Sequence, residues 1–147
     1  MRGMRGVLPV TTLKSILLVE DDIVDMMSVK RALKDLNVRN PLYHVENGVE
    51  ALEFLRDKKN PKPTIILLDL NMPRMGGIEF LSIMKNDEEI RRIPVVILTT
   101  SRAEYDKVQT YELGIAGYMI KPVDYQQFIE VIRALCLYWT LSEVAEE

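Results

Sequence analysis

Apolar residues fall along this chain in two alternating rhythms. Five short runs, Ile16–Val19, Leu42–Val45, Thr64–Leu68, Val95–Leu98 and Gly117–Ile120, each end at a polar turn. The third and fourth carry no polar alternation, a pattern a strand adopts when both its faces are covered, as in the middle of a parallel sheet. Between the runs the spacing changes to three and four. Met26, Val29, Leu33 and Leu36 form one stripe of a helix starting near Ile23; Val49, Leu52 and Leu55, then Ile78, Leu81 and Met84, form two more. Phe128, Ile132, Leu135 and Trp139 mark a last helix. Such stripes are the core-facing sides of surface helices. Met26, Met27 and Met84 read as core fillers on them. Breakers stand at the boundaries: Asn47-Gly48, Asn60-Pro61-Lys62-Pro63, Met75-Gly76-Gly77 and Gly114.

Strands alternating with helices form right-handed βαβ units that cover both sheet faces. The expected fold is therefore a five-stranded, parallel, doubly wound α/β domain. In such domains ligands bind at the carboxyl ends of the strands. The 147 residues suit one domain. We expect residues 1–14 to be an N-terminal arm and residues 15–147 one domain with a C-terminal helical extension.

Three strand ends carry polar groups that a core has no use for. The first run leads into Glu20, Asp21 and Asp22, the third into Asp69, and the fourth into Thr99, Thr100 and Ser101; Lys121-Pro122 follows the fifth. Acids after strands often serve as helix N-caps, and for Asp22 alone that reading is as good as any other. For the set it is weak, because clustered carboxylates resist ionising together unless a cation joins them. All-oxygen ligands point to a hard ion such as Mg²⁺. An acidic cluster with an ammonium (Lys121) and a hydroxyl (Thr99) describes a phosphoryl site, where positioning and charge neutralisation do most of the chemistry. Asp69, at the end of the most apolar run, is the candidate nucleophile for an aspartyl phosphate.

Composition narrows the alternatives. A net charge of −3 argues against a nucleic-acid surface, and Arg91-Arg92 and Lys58-Lys59 read as solvated charge pairs. His44 has no second His or Cys near it and does not read as a metal ligand. Cys136 is alone, which fits a reducing compartment. Val7–Leu13 is short and broken by Pro9, and Ala134–Ser142 falls far below the roughly 20 residues of a bilayer span. A soluble cytoplasmic protein with no membrane partner is expected.

Four stretches taken together resemble the response-regulator receiver domain of two-component signalling. They are Ile16-Leu17-Leu18-Val19-Glu20-Asp21, Ile65 through Pro73, Pro94 through Ser101, and Gly117-Tyr118-Met119-Ile120-Lys121-Pro122. The resemblance spans about Ser15 to Leu135 and implies a flavodoxin-like strand order 2-1-3-4-5. It implies that Asp69 accepts a phosphoryl group from a sensor histidine kinase. Asp21, Asp69 and the Asn71 carbonyl would bind Mg²⁺, with Glu20 acting mainly through water. Lys121 and Thr99 would contact the phosphoryl oxygens, and Tyr118 would be an aromatic switch following Thr99. A cis Lys121–Pro122 bond would aim the lysine. Asn71 and Ser101 would tune the lifetime of the phosphoryl group. Two positions depart from the common pattern: Glu20 stands where Asp is more usual, and Gly76 where Asp is frequent.

The expected role is a standalone phosphoacceptor rather than an enzyme with a turned-over substrate. It would signal to a downstream protein or pass its phosphoryl group to a phosphotransfer protein. The competing expectations are a phosphorylation-independent binding module, and a phosphohydrolase or flavin binder on the same fold. Against the last two, Glu20-Asp21-Asp22 stands where a phosphate binder has a glycine-rich loop. Residues Tyr125 to about Ala145 would form one helix of about 30 Å, at about 1.5 Å per residue. Its apolar content (Leu137, Tyr138, Trp139, Leu141, Val144) either folds back on the domain or forms a protein–protein surface, including a candidate homodimer. With Val38-Arg39-Asn40-Pro41 and Leu98 to Glu104, this tail resembles small regulators paired with phytochrome-type sensor kinases.

Overall fold

The computed structural model describes residues 15–99, 102–103, 114–120, 125–127, 129–130 and 133–134. Five strands, β1 (Ile16–Val19), β2 (Leu42–Val45), β3 (Ile65–Leu68), β4 (Val95–Thr99) and β5 (Gly117–Ile120), form one sheet in the order β2-β1-β3-β4-β5. All four pairings are parallel. Helix α1 (Ile23–Asp35) follows β1, α2 (Gly48–Arg56) follows β2, and α3 (Gly77–Lys85) follows β3. The expected fold class and strand order are both found. Strand β3 starts one residue later than its apolar run, and β4 runs one residue further, taking in Thr99.

The runs without alternation are explained by two cores, one on each sheet face. Leu17, Val19, Ile66, Leu68 and Ile97 point to the side covered by α2 and α3, where Phe80, Leu81 and Met84 pack. Ile16, Leu18, Ile65, Leu67 and Leu98 point the other way, against Val29 and Leu33 of α1 and Ile129. Successive side chains alternate faces, so a strand buried on both sides must be apolar throughout. Tyr125 joins the second core and fastens its segment to α1: its hydroxyl lies 2.6 Å from Asp35 Oδ2, and the Arg31 guanidinium sits 4.4 Å from its ring centroid.

Met84 is fully buried and Met26 packs against the α1 core, as expected of core fillers. Met27 is not one. It is 60% exposed, on the same outward side as Ile23 and Val24, because its neighbour Met26 takes the inward position on the stripe. The stripe residues Phe128, Ile132, Leu135 and Trp139 lie outside the described residues. So do the arm at residues 1–14, the helical extension to Ala145, and the Lys121–Pro122 bond.

Candidate functional site at the carboxyl edge of the sheet

β1 and β3 are adjacent and in register, with Val19 opposite Leu68. Each continues past its last apolar residue with an acid, and the ladder carries on for one more step. Glu20 N–H donates to Val45 O at 2.9 Å, and Asp69 N–H donates to Val19 O at 3.0 Å. The two carboxylates are thus fixed by backbone pairing at the sheet edge. Glu20 is 1% exposed and Asp69 8%; Asp21 is exposed. One carboxylate oxygen from each of Glu20, Asp21 and Asp69 lies within 4.8 Å of the others.

Two buried negative charges at that spacing repel by roughly 3 kcal/mol at an effective dielectric constant near 20. A divalent cation would turn that repulsion into attraction, and three hard oxygen donors from carboxylates are the set such an ion selects. The residues present therefore fit Mg²⁺ or Mn²⁺.

Asp22, the ambiguous acid, is a cap. Its Oδ1 accepts from Val24 N–H at 2.8 Å and Asp25 N–H at 3.1 Å, and its own N–H donates to a Glu20 carboxylate oxygen at 3.2 Å. An N-cap of this kind contributes about 1 kcal/mol to helix stability. It starts α1 immediately after the acidic pair, and so sets where Glu20 and Asp21 stand.

His44 has a role the sequence did not suggest. Its Nε2 lies 2.7 Å from the Glu20 carbonyl oxygen. A carbonyl only accepts, so Nε2 carries the proton. The ring, on the strand beside β1, holds the backbone of the acidic residue rather than an ion.

Thr99 ends β4, next to β3, and is 1% exposed. Tyr118 pairs with Ile97 in the sheet, and with a two-residue period Tyr118 and Thr99 belong to the same sheet face, over the α2–α3 core. Asn71 is exposed, two residues beyond Asp69. The structure thus brings Glu20, Asp21 and Asp69 together, places Thr99 on the neighbouring strand end and Asn71 in the adjoining loop. Lys121, Thr100 and Ser101 lie outside the described residues.

Sequence reading took Gly48, Gly76 and Gly77 for turn signals only, yet two of them shape the loop behind Asp69. Gly77 N–H donates to Leu70 O at 3.0 Å, and a Cβ on Gly77 would fall 2.8 Å from Leu70 Cα and 3.0 Å from Asp69 O. Gly48 N–H donates to Met75 O at 2.9 Å. No sequence signal marks these approaches: one joins residues 27 apart in the chain, the other closes a loop on itself.

The parallel sheet in the order β2-β1-β3-β4-β5, with carboxylates gathered at its carboxyl edge, is a doubly wound α/β domain of the flavodoxin-like, receiver type. Residues 16–133 match the response regulator receiver domain family, and the chain belongs to it. Among known proteins it is similar to the response regulator Rcp1 of Synechocystis, 35% identical over 130 residues that cover 86% of this chain and 88% of the relative. The crystal structure of the Mn²⁺-bound form of Rcp1 aligns with a TM-score of 0.77, covering 86% of this chain and 94% of that one. The phosphorylated cyanobacterial phytochrome response regulator RcpA aligns at 0.79 with 34% identity, covering 88% and 95%. The bacteriophytochrome response regulator RtBRR, 40% identical, aligns at 0.72 and covers 83% and 77%. The chain is a two-component signalling protein related to phytochrome response regulators. No helix among the described residues is long and apolar enough to cross a membrane.

Proposed function

We propose that this protein receives a phosphoryl group on Asp69 from a sensor histidine kinase of the phytochrome-linked kind. The observation that carries the reading is the gathering of Glu20, Asp21 and Asp69 within 4.8 Å at the sheet edge, two of them nearly buried. Relatives whose structures are described as Mn²⁺-bound and as phosphorylated support it.

Glu20, Asp21 and Asp69 would hold Mg²⁺, and the family motif around Asn71 adds its backbone carbonyl to the set. The bound ion supplies positive charge against the developing phosphoryl charge. The chain's own part is positional. β3 pairing aims Asp69 outward from a rigid strand end. One Asp69 carboxylate oxygen bonds phosphorus while the phosphorus–nitrogen bond of the donor phosphohistidine breaks, its electron pair returning to the imidazole. The Thr99 hydroxyl donates to a phosphoryl oxygen of the product. Lys121, on the strength of the family motif around it, balances another. The phosphoryl adds about −1.5 to −2 charges and three acceptor oxygens. Through Thr99 and the same-face Tyr118, that change biases the β4–β5 side of the domain between two states. The output is a contact with a downstream protein or phosphotransfer onward, in the cytoplasm.

Incubation with acetyl phosphate and Mg²⁺ should give a retarded band on a phosphate-affinity gel. Asp69→Ala should abolish it. Persistence of the band in Asp69→Ala, or no band in the wild type with acetyl phosphate or a phosphorylated kinase, removes the proposal.

A further inference from the structure

We propose that Gly48, which is not part of the acidic cluster, is a positioning residue for the loop that follows Asp69. The inference rests on the reading of that cluster as a metal-binding phosphoacceptor site.

Residues 70–77 form a loop that leaves β3 and returns to start α3, closed at its neck by the Gly77–Leu70 hydrogen bond. Closing the neck leaves the far side of the loop to be held by something else. Arg74 there has φ 65°, in the left-handed region. For a residue with a Cβ that conformation costs about 1 kcal/mol or more and persists only where the surroundings enforce it. The next residue, Met75, is where they do.

Gly48 opens α2, and its amide is one of those that a helix start leaves without an intrahelical partner. It donates to Met75 O at 2.9 Å. A Cβ at position 48 would lie 2.6 Å from Met75 Cγ and 2.7 Å from Sδ. The Met75 side chain therefore seats in the notch that the missing Cβ leaves. The post it leans on is rigid. Asn47, 4% exposed, accepts from Glu50 N–H at 3.0 Å, and the Glu50 carboxylate reaches back to Glu46 N–H at 2.9 Å. That reciprocal pair is a form of capping box, which pins a helix start.

α2 is thus an abutment for the loop bearing Asn71, although it contributes nothing to the acidic cluster. Groups that orient ligands from behind also set metal affinity, and their loss typically costs about 10–100-fold.

The test is Mn²⁺ binding to the purified protein, read from the free-ion electron paramagnetic resonance signal, with Mg²⁺ as competitor. Gly48→Ala should raise half-saturating Mn²⁺ about tenfold, and Met75→Ala, which empties the notch, roughly threefold. Gly48→Ala combined with Met75→Ala removes the two closest contacts, leaving only the Met75 Cβ at 3.0 Å, and should return towards the Met75→Ala value. A role confined to stability would lower the melting temperature and leave half-saturation unmoved, which overturns the proposal. So does a double variant that stays at the Gly48→Ala value. Should Gly48→Ala not fold, Met75→Ala decides, and wild-type affinity there overturns it. Wild-type protein that takes up no Mn²⁺ defeats the metal-site reading itself, a separate outcome.

Discussion

Two segments bring acids to the carboxyl edge of the sheet, and they are held there by opposite means. The start of α1 is built locally: Asp22 caps the helix that begins one residue later, and its hydrogen bonds are to residues 20–26. The loop after β3 closes on itself between Leu70 and Gly77 but is also braced from outside, by Gly48 of another helix. Locally built geometry tolerates change elsewhere in the chain. Geometry built by remote contacts does not, so the second segment should be the fragile one.

The largest effect is expected from Gly77→Ala. The new methyl meets backbone, Leu70 Cα at 2.8 Å and Asp69 O at 3.0 Å, and neither can rotate away. Overpacking of this kind costs about 2–3 kcal/mol. Urea denaturation should show that loss, and aspartyl phosphorylation should fall with it because the displaced carbonyl belongs to Asp69. Unchanged stability would mean that the neck yields easily, and the contrast between the segments would fail.

Asp22→Ala sharpens the comparison from the other side. Removing the cap should cost about 1 kcal/mol by urea denaturation. Half-saturating Mn²⁺ should stay within about twofold of wild type, since a twofold change corresponds to only about 0.4 kcal/mol. A tenfold loss of affinity would place Asp22 among the ligands instead of the caps.

What the sequence revealed follows the same division. The strands, three helices and the convergence of Glu20, Asp21 and Asp69 were legible because they depend on periodicity and on the rule that ligands sit at strand ends. Asp22 as a cap was one of two readings, since a carboxylate before a helix looks the same whether it accepts amides or binds an ion. Met27 was misplaced because two adjacent methionines cannot both face inward, and a stripe of period 3.6 does not say which one wins. Gly48 and Gly77 could be seen only as turns, because neither the approach of Gly48 to distant Met75 nor the closing of a loop on itself at Gly77 leaves a periodic pattern. His44 was excluded as a ligand, but its bond to the Glu20 carbonyl depends on the pairing of β2 beside β1.

A smaller effect is expected at Ser15, whose buried Oγ has no hydrogen-bond partner among the described residues. Ser15→Ala should leave stability unchanged or raise it by up to about 1 kcal/mol, since it removes a desolvated hydroxyl at no loss of a bond. A loss above that would reveal a partner for the hydroxyl.

The smallest effect concerns the other end of the α2–α3 pair. At the site end these helices are joined through Gly48 and Met75 without any charge. At the far end Arg56 Nε, from α2, lies 3.2 Å from Asp87 Oδ2, just past α3. The Glu89 backbone amide, and then Arg56, hold the Asp87 carboxyl below its ordinary value of 3.8. A carboxyl whose pKa is lowered in the folded state adds stability that is complete well above pH 3.8 and is lost as pH falls through the folded value. Asp87→Asn should therefore lower stability slightly at pH 7 and flatten its decline between about pH 4 and 3. Because the Arg56 end of the pair is exposed, the effect should also shrink in high salt. Mn²⁺ affinity at neutral pH should be untouched, because the uncharged join at the site end does not titrate. If instead Asp87→Asn weakens Mn²⁺ binding, the two ends of α2 are not independent, and the loop after Asp69 is positioned by the whole helix.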